Sequence, residues 1–509
     1  MEKTARQGNM LSFGKGGEKA MKRSRIGLTA GLAVAVLIAG CNSGGGDKPS
    51  KTLKELGKDE KASIKVVFWD KGYFFQQYGN LFSAKFPNID VQVVSTQGIY
   101  GSGKDPNEEF QKLIDEEKPD VLLFDSPDLF EKWANDGKLY QLDDVIRQDK
   151  FDIENILPSV VEQIKAKGNG NIYGLTPSFY GQALFYNKDL FEKHGVPLPK
   201  NKMTWNEVLD LAKRFPKDGQ GDNRIYGFAQ NASFAFSDKK QVAYQMMNAI
   251  GGTSGLSFVD PDKGAVTIQS DGWKEALLTT VEALKSGAVF AGSDEKFDPN
   301  KPMTMEDHMK KDLFATGRLA MTVEGSYMIN SLQRAKETLK DVTPVNWDIV
   351  TVPVDPKNPE VSNSVSLSGL FAVNANSSNP RAAWELVKYI NSEEMARLLS
   401  KSEDGAMLSR TAYAKEREGR SMEPFYMLKM SENSLYKNYN KIPMGFYQPF
   451  NELAGNEIQS VIEGKKSVDD ALKTMQEKGQ EAYIKAKQEQ DAKNAKEGKD
   501  QKPAEPAAN

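Results

Sequence analysis

Trp69-Asp70-Lys71-Gly72-Tyr73 places an indole, a carboxylate, an ammonium and a phenol in one short stretch, around a glycine that permits close backbone approach. Rings offer flat apolar faces, while the carboxylate and phenol hydrogen-bond a polar rim. Such a cluster suits a ligand with both kinds of surface. The competing reading makes Trp69 core and the rest plain loop. Asp125-Ser126 is a second such point, where Asp125 either accepts ligand hydroxyls or merely caps the helix that Pro127 opens. Carboxylates are plentiful, so a general acid and partner about 5–10 Å apart, as in a secreted hydrolase or lyase, stay open. Metal and nucleophile chemistry is harder to build. His194 and His308 are the only histidines and Cys41 the only cysteine, too few for a zinc site or a His-based triad. His194, before Gly195 at a helix end, reads as dipole compensation. Asp218-Gly219-Gln220-Gly221-Asp222 looks like a calcium loop. Asn223 stands where such a loop needs its glycine, however, and Ala229 where it needs its glutamate, which favours a plain turn. No metal or cofactor is expected.

Cys41 has its own chemistry. Lys22, Arg23 and Arg25 precede an apolar run over residues 26–39 that ends in Ile38-Ala39-Gly40-Cys41. The run is about the length of a signal-peptide core and short of a bilayer span. It resembles a lipobox, which implies cleavage before Cys41 and a diacylglycerol thioether on its sulfur; the alternative is an ordinary secretory peptide with a chance cysteine. Met21 is the expected start, with residues 1–20 an over-extended frame. A formal charge of −3 shows no footprint for nucleic acid. Residues 41–61 read as a Gly- and Lys/Glu-rich flexible stalk, and 486–509 as a charged, disordered tail.

Elements must position these groups. Residues 64–69 are a β-rich apolar run, followed by a helix with Phe74, Leu81, Phe82 and Phe86 on its apolar face and Pro87 at its end. Residues 89–94 alternate as a strand, and Val121-Leu122-Leu123-Phe124 reads as a buried parallel strand. Thr204-Trp205-Asn206-Glu207 is a capping box, and Ser467 with Asp470 opens a C-terminal helix. Residues 270–284 and 303–314 are expected as amphipathic helices, while Trp133, Trp384 and Tyr389 fall on apolar helix faces as core. Strands alternating with helices imply an open α/β sheet whose ligands sit beyond the strands' carboxyl ends.

Several blocks, in order, resemble the bacterial extracellular solute-binding proteins of family 1, the carbohydrate-receptor lipoproteins of ABC importers, distantly related to maltose-binding protein. They are Val66-Val67-Phe68-Trp69, Phe86-Pro87-Asn88-Ile89-Asp90-Val91, Pro119-Asp120-Val121-Leu122-Leu123-Phe124, Tyr173-Gly174-Leu175-Thr176-Pro177 and Ala183-Leu184-Phe185-Tyr186-Asn187-Lys188-Asp189-Leu190-Phe191. Farther on come Phe314-Ala315-Thr316-Gly317-Arg318-Leu319-Ala320-Met321, Glu324-Gly325-Ser326-Tyr327, Ser368-Gly369-Leu370-Phe371-Ala372-Val373 and Ala383-Trp384-Glu385-Leu386-Val387-Lys388-Tyr389-Ile390. The spacing between Gly174-Leu175 and Ala183 is longer than the family's.

The resemblance implies a periplasmic-binding-protein-like type II fold: two α/β lobes, a multi-crossing hinge and a ligand cleft. Lobe one would hold residues 62–177 and 355–410, and lobe two 178–354 and 411–485. It implies a non-catalytic receptor for a sugar or oligosaccharide that delivers its ligand to ABC permease subunits. The receptor would be a monomer, anchored through Cys41 on the outer face of the cytoplasmic membrane. A receptor for a peptide or polyol differs only in ligand. Expected contacts are Trp69, Asp70, Tyr73, Asp125 and Ser126 from one lobe, Tyr180 after the crossing, and Glu324, Ser326 and Tyr327. Tyr327 matches a position where relatives stack a sugar ring. Tyr447 either closes the cleft or simply packs.

Overall fold

The computed structural model describes residues 52–57, 59–99, 106–230, 238–293, 303–367, 369–402, 406–431 and 441–500, except the side chains of residues 222 and 494–500. Cys41, the leader and the start of the stalk lie outside these residues. In chain order the strands begin with β1 (Ala62–Phe68), β2 (Ile89–Ser95), β3 (Val121–Phe124), β4 (Gly174–Leu175), β5 (Ser178–Asn187) and β6 (Tyr226–Gln230). There follow β7 (Val259–Asp260), β8 (Ala265–Val266), β9 (Leu319–Gly325), β10 (Trp347–Thr351), β11 (Val361–Ser362) and β12 (Val365–Leu367). The last are β13 (Leu370–Val373), β14 (Met407–Leu408), β15 (Glu416–Arg417), β16 (Arg420–Ser421) and β17 (Lys429–Met430).

The first sheet runs β2-β1-β3-β13-β4. Strands β1 and β2 pair in parallel from Ala62↔Ile89 to Phe68↔Ser95, and β3 joins in parallel through Val66↔Val121. Every residue of β3 is buried as expected, but only its β1 side is parallel: β13 pairs with it antiparallel from Leu370↔Phe124 to Val373↔Val121. Ser126 caps the helix Pro127–Asn135 by accepting from Leu129 N, with Pro127 at its first turn. Trp133, Trp384 and Tyr389 are all buried on their helices.

One helix departs from its expected face. Between Lys71 and Lys85 the backbone widens into a π-helical segment, Phe75–Gly79. A π turn takes one extra residue and advances the phase of every later side chain. Tyr78 and Phe82 are therefore buried, whereas Leu81, expected in the apolar face, is exposed.

The second sheet runs β10-β5-β9-β6. β5 pairs antiparallel with β9 and β10, while β6 is parallel to β9. Strand alternation divides the packing of β5. Ala183 and Phe185 join the core that continues from the first sheet; Leu184 and Tyr186 face a separate helical layer containing Trp205, Trp273 and Phe450. The capping box at Thr204 and Glu207 forms as read. The first residues of β5 also pair with β12 and β14, and Ser409 N donates to Pro177 O at 2.9 Å. Several chain segments thus cross side by side between the sheets.

Both ends of the body extend past their expected limits. Residues 52–57 pack rather than hang free: Leu53 and Leu56 rest on the first core. Gln148 clamps Leu53, accepting from its N–H at 2.9 Å and donating to its carbonyl at 2.6 Å. The leucines lie three apart in a charged background, which hides them from a composition average. At the other end, the helix that Ser467 opens runs Val468–Asp500, well into the segment read as disordered. Its ladder continues where apolar content falls, because Lys, Glu, Gln and Ala are good helix formers. The stretch expected as an amphipathic helix over 303–314 forms only Met305–Lys311 and buries none of its residues. Gly221–Asn223 is a short turn, and Arg224 Nη1 donates to Asp218 O at 3.5 Å. His194 ends its helix before Gly195, which adopts φ 62; its ring meets Phe215 edge-on at 6.0 Å.

Candidate functional site

The order of the first sheet sends the carboxyl ends of β1 and β3 to one edge, where β13 begins and β4 ends. A pocket of about 250 Å³ opens there, lined by Phe68, Trp69, Tyr73, Leu123, Asp125 and Phe371 among others. Three expected contacts are thus brought together: Trp69, Tyr73 and Asp125. The rings of Trp69 and Tyr73 lie 5.0 Å apart, and Phe68 stacks on Phe371 at 6.2 Å behind them. Trp69 is 43% exposed and Tyr180 39%, the two exposed aromatic rings among the described residues. A large ring left in water at a concave edge lacks a packing reason for its position. The core reading of Trp69 does not hold.

The neighbours of these residues have structural duties. Asp70 caps the turn that follows, accepting from Tyr73 N at 2.8 Å, and its other oxygen accepts from Gln97 Nε2 at 3.2 Å. Ser126 is engaged in its own cap. Both side chains thus have a capping duty, and neither is among the residues lining the pocket. Asp125 keeps contact with water, yet the surrounding protein pushes its carboxyl pKa up by desolvation.

Tyr180 stands on the same face of β5 as Ser178, which lines the pocket. Its ring stacks on Tyr327 at 6.3 Å and 23°. Tyr327 donates its phenol hydrogen to Glu324, a fully buried carboxylate at the end of β9. Burial, then the charge of Glu324, raises the phenol pKa of both Tyr180 and Tyr327. Both rings therefore stay protonated at neutral pH and can donate. Gly325 makes the stack possible: a Cβ there would overlap Tyr180 Oη and lie 2.6 Å from Tyr327 Cε1. Ser326 is fully buried, and its N–H donates to Gly181 O at 3.1 Å. Tyr447 lies elsewhere, packed beside Phe446 against the helical core of the second sheet. Simple packing is the reading that fits it.

Two polar residues, Arg417 at this pocket and Gln230 at the end of β6, carried no sequence signal. Arg417, on β15, lines the pocket and donates to Ala406 O at 2.9 Å; burial lowers its pKa. Gln230 ends β6 opposite Val323 of β9, and its buried Oε1 has no hydrogen-bond partner among the described residues. Arg417 precedes a Glu418-Gly419 turn, which lacks the Asn-Gly or Asp-Gly pair that marks a two-residue hairpin in a sequence. Nothing local says that the hairpin folds back onto the first sheet.

Two α/β lobes with several crossing segments side by side, and a ring-lined pocket at strand ends, define a type II binding-protein fold. Solved structures share it. A sugar transporter from Rhizobium etli in an open conformation aligns with TM-score 0.54 and 22% identity, over 82% of this chain and 99% of that one. UspC of M. tuberculosis aligns with TM-score 0.55 and 18% identity, over 82% and 100%. The chain belongs to the bacterial extracellular solute-binding protein family, whose model matches residues 69–397. Among curated proteins, the mannitol-binding protein of Pseudomonas aeruginosa is 26% identical over 178 residues, 35% of this chain and 36% of that one. A putative binding protein of Brucella abortus is 26% identical over 246 residues, 47% and 49%. The chain therefore spans between about a third and a half of the length of the curated relatives it matches. Among the described residues no helix is long and apolar enough to cross a membrane.

Proposed function

We propose that this protein is a non-catalytic receptor of an ABC importer. It would take a sugar, oligosaccharide or polyol between its lobes and pass it to membrane permease subunits. The observation that carries this reading is the exposed ring of Trp69 beside Tyr73 and Asp125 in one pocket that Ser178 of β5 also lines, with the exposed, stacked ring of Tyr180 two residues farther along that strand. Aromatic faces match the C–H faces of a polyhydroxylated ligand, and the carboxylate and phenols match its hydroxyls. The mannitol-binding relative supports this class of ligand.

The lobe limits proposed are residues 62–177 with 355–410, and 178–354 with 411–485. Ligand contacts on both lobes favour the closed arrangement by their differential affinity, with the crossings as hinge. A lipid on Cys41 and the following Gly-rich segment would keep a monomeric receptor near its transporter outside the cytoplasmic membrane, at high effective concentration.

A thermal-shift screen over monosaccharides, oligosaccharides and polyols tests the ligand class, because a bound ligand raises stability by mass action. A hit should be confirmed by calorimetry as one site per chain. Silence across the screen, or turnover of an oligosaccharide at enzymatic rates, would remove the receptor reading. Labelling cells with a radioactive fatty acid tests the anchor: label should enter the wild-type protein and be absent from Cys41→Ala.

A further inference from the structure

A second cavity, of about 360 Å³, is lined in part by Glu418 and Arg420 of the β15–β16 hairpin and is larger than the pocket just described. Leu332, Ala335 and Leu339 supply one wall from the helix Tyr327–Thr338 and the residue after it, and Trp347 of β10 supplies another. Lys336, Glu418 and Arg420 stand among the lining groups. The Arg420 guanidinium lies over the Trp347 ring at 4.1 Å, and its Nε donates to Trp347 O at 2.8 Å. Its Nη1 donates to the Glu418 carbonyl at 3.0 Å and to the Glu418 carboxylate at 3.4 Å. Glu418 is thereby matched by Arg420. Lys336 is in no ion pair among the described residues, so the lining keeps one surplus positive charge.

The hairpin that shapes this cavity is closely specified. Glu418 and Gly419 both turn through left-handed backbone, at φ 50 and 74, a conformation that residues other than glycine seldom adopt. Arg417 and Arg420 face each other across the ladder. One side chain lines the pocket at the first sheet and the other lines this cavity.

From the apolar walls, the surplus ammonium and the stacked guanidinium we infer a second ligand site, for a small amphipathic anion. Such a ligand has an aromatic or aliphatic body carrying one carboxylate or sulfonate. The body displaces water that apolar walls hydrogen-bond poorly, and the acid group meets Lys336 and Arg420. This inference stands apart from the receptor reading and does not depend on it.

The probe is 1-anilinonaphthalene-8-sulfonate, titrated into the folded full chain and followed by its fluorescence. Saturable binding at one site per chain is expected. Lys336→Glu should weaken it about tenfold, and Gln333→Trp, which puts an indole at the cavity's lining, should abolish it. Both variants change exposed positions on one helix, and far-UV circular dichroism should match the wild type. Absence of saturable binding to the wild type overturns the site, and so does unchanged affinity in either variant.

Discussion

The exposed rings of the two sheets are held in different ways. On the first sheet, Trp69 is carried by the loop after β1 and touches Tyr73, with much of its ring in water. On the second sheet, Tyr180 and Tyr327 are locked by a glycine that admits them and a buried carboxylate that accepts from Tyr327. One side keeps a ring available at little cost to the fold. The other builds its rings into the core. An exposed ring can thus be nearly independent of stability or inseparable from it, depending on what lies behind it.

Substitutions can break this contrast. The largest effect on binding is expected from Trp69→Ala. Losing a buried aromatic contact of about 1.5–3 kcal/mol weakens affinity roughly tenfold to a hundredfold, while the melting temperature of the free protein stays near wild type. Calorimetry and thermal melts check this pair of outcomes; a large fall in melting temperature would show that Trp69 is core after all. Gly325→Ala should act on both quantities, because overpacking costs about 1–3 kcal/mol and the stack must open. A variant as stable as wild type with intact affinity would dissolve the contrast. Glu324→Gln comes next: it removes the buried charge that Tyr327 bonds, and urea unfolding should report a loss of about 1–2 kcal/mol. If only binding changes, the carboxylate serves the ligand rather than the stack.

Asp125→Asn should have the smallest effect on the fold, with its sign reversed. Burial raises the folded pKa of Asp125 above its unfolded value. Its favourable contribution is therefore present below the ordinary carboxylate range and is lost as pH rises through the raised value. At neutral pH its charge opposes folding, so the amide variant should melt slightly higher and bind less tightly. Wild-type affinity should fall as pH is lowered through the raised pKa, and the variant should be flat across the same window. Equal pH profiles would take Asp125 out of ligand binding.

Much of the fold was legible because it is written locally. Val121-Leu122-Leu123-Phe124 reads as a strand buried on both faces, and the Thr204–Glu207 and Ser126-Pro127 signals are complete within four residues. The errors came where a local signal was incomplete. The π segment moved Leu81 off its face without any breaker in the sequence. Leu53 and Leu56 were hidden in a charged stretch whose partner, Gln148, lies far along the chain. Asp70 and Ser126 carry side chains equally suited to capping and to ligand contact, and only their hydrogen bonds separate the two.

The sequence by itself determined the order of strands and helices, the family and the aromatic-plus-carboxylate chemistry at the strand ends, because periodicity, capping and short motifs act over a few residues. Only the tertiary structure decided which of those groups share an edge. It set Trp69, Tyr73 and Asp125 around one pocket, brought Arg417 to it on a hairpin, stacked Tyr180 on Tyr327 and left Tyr447 in a helical core. The physical reason is that such convergence depends on sheet order and on the packing of distant segments, which no local pattern encodes.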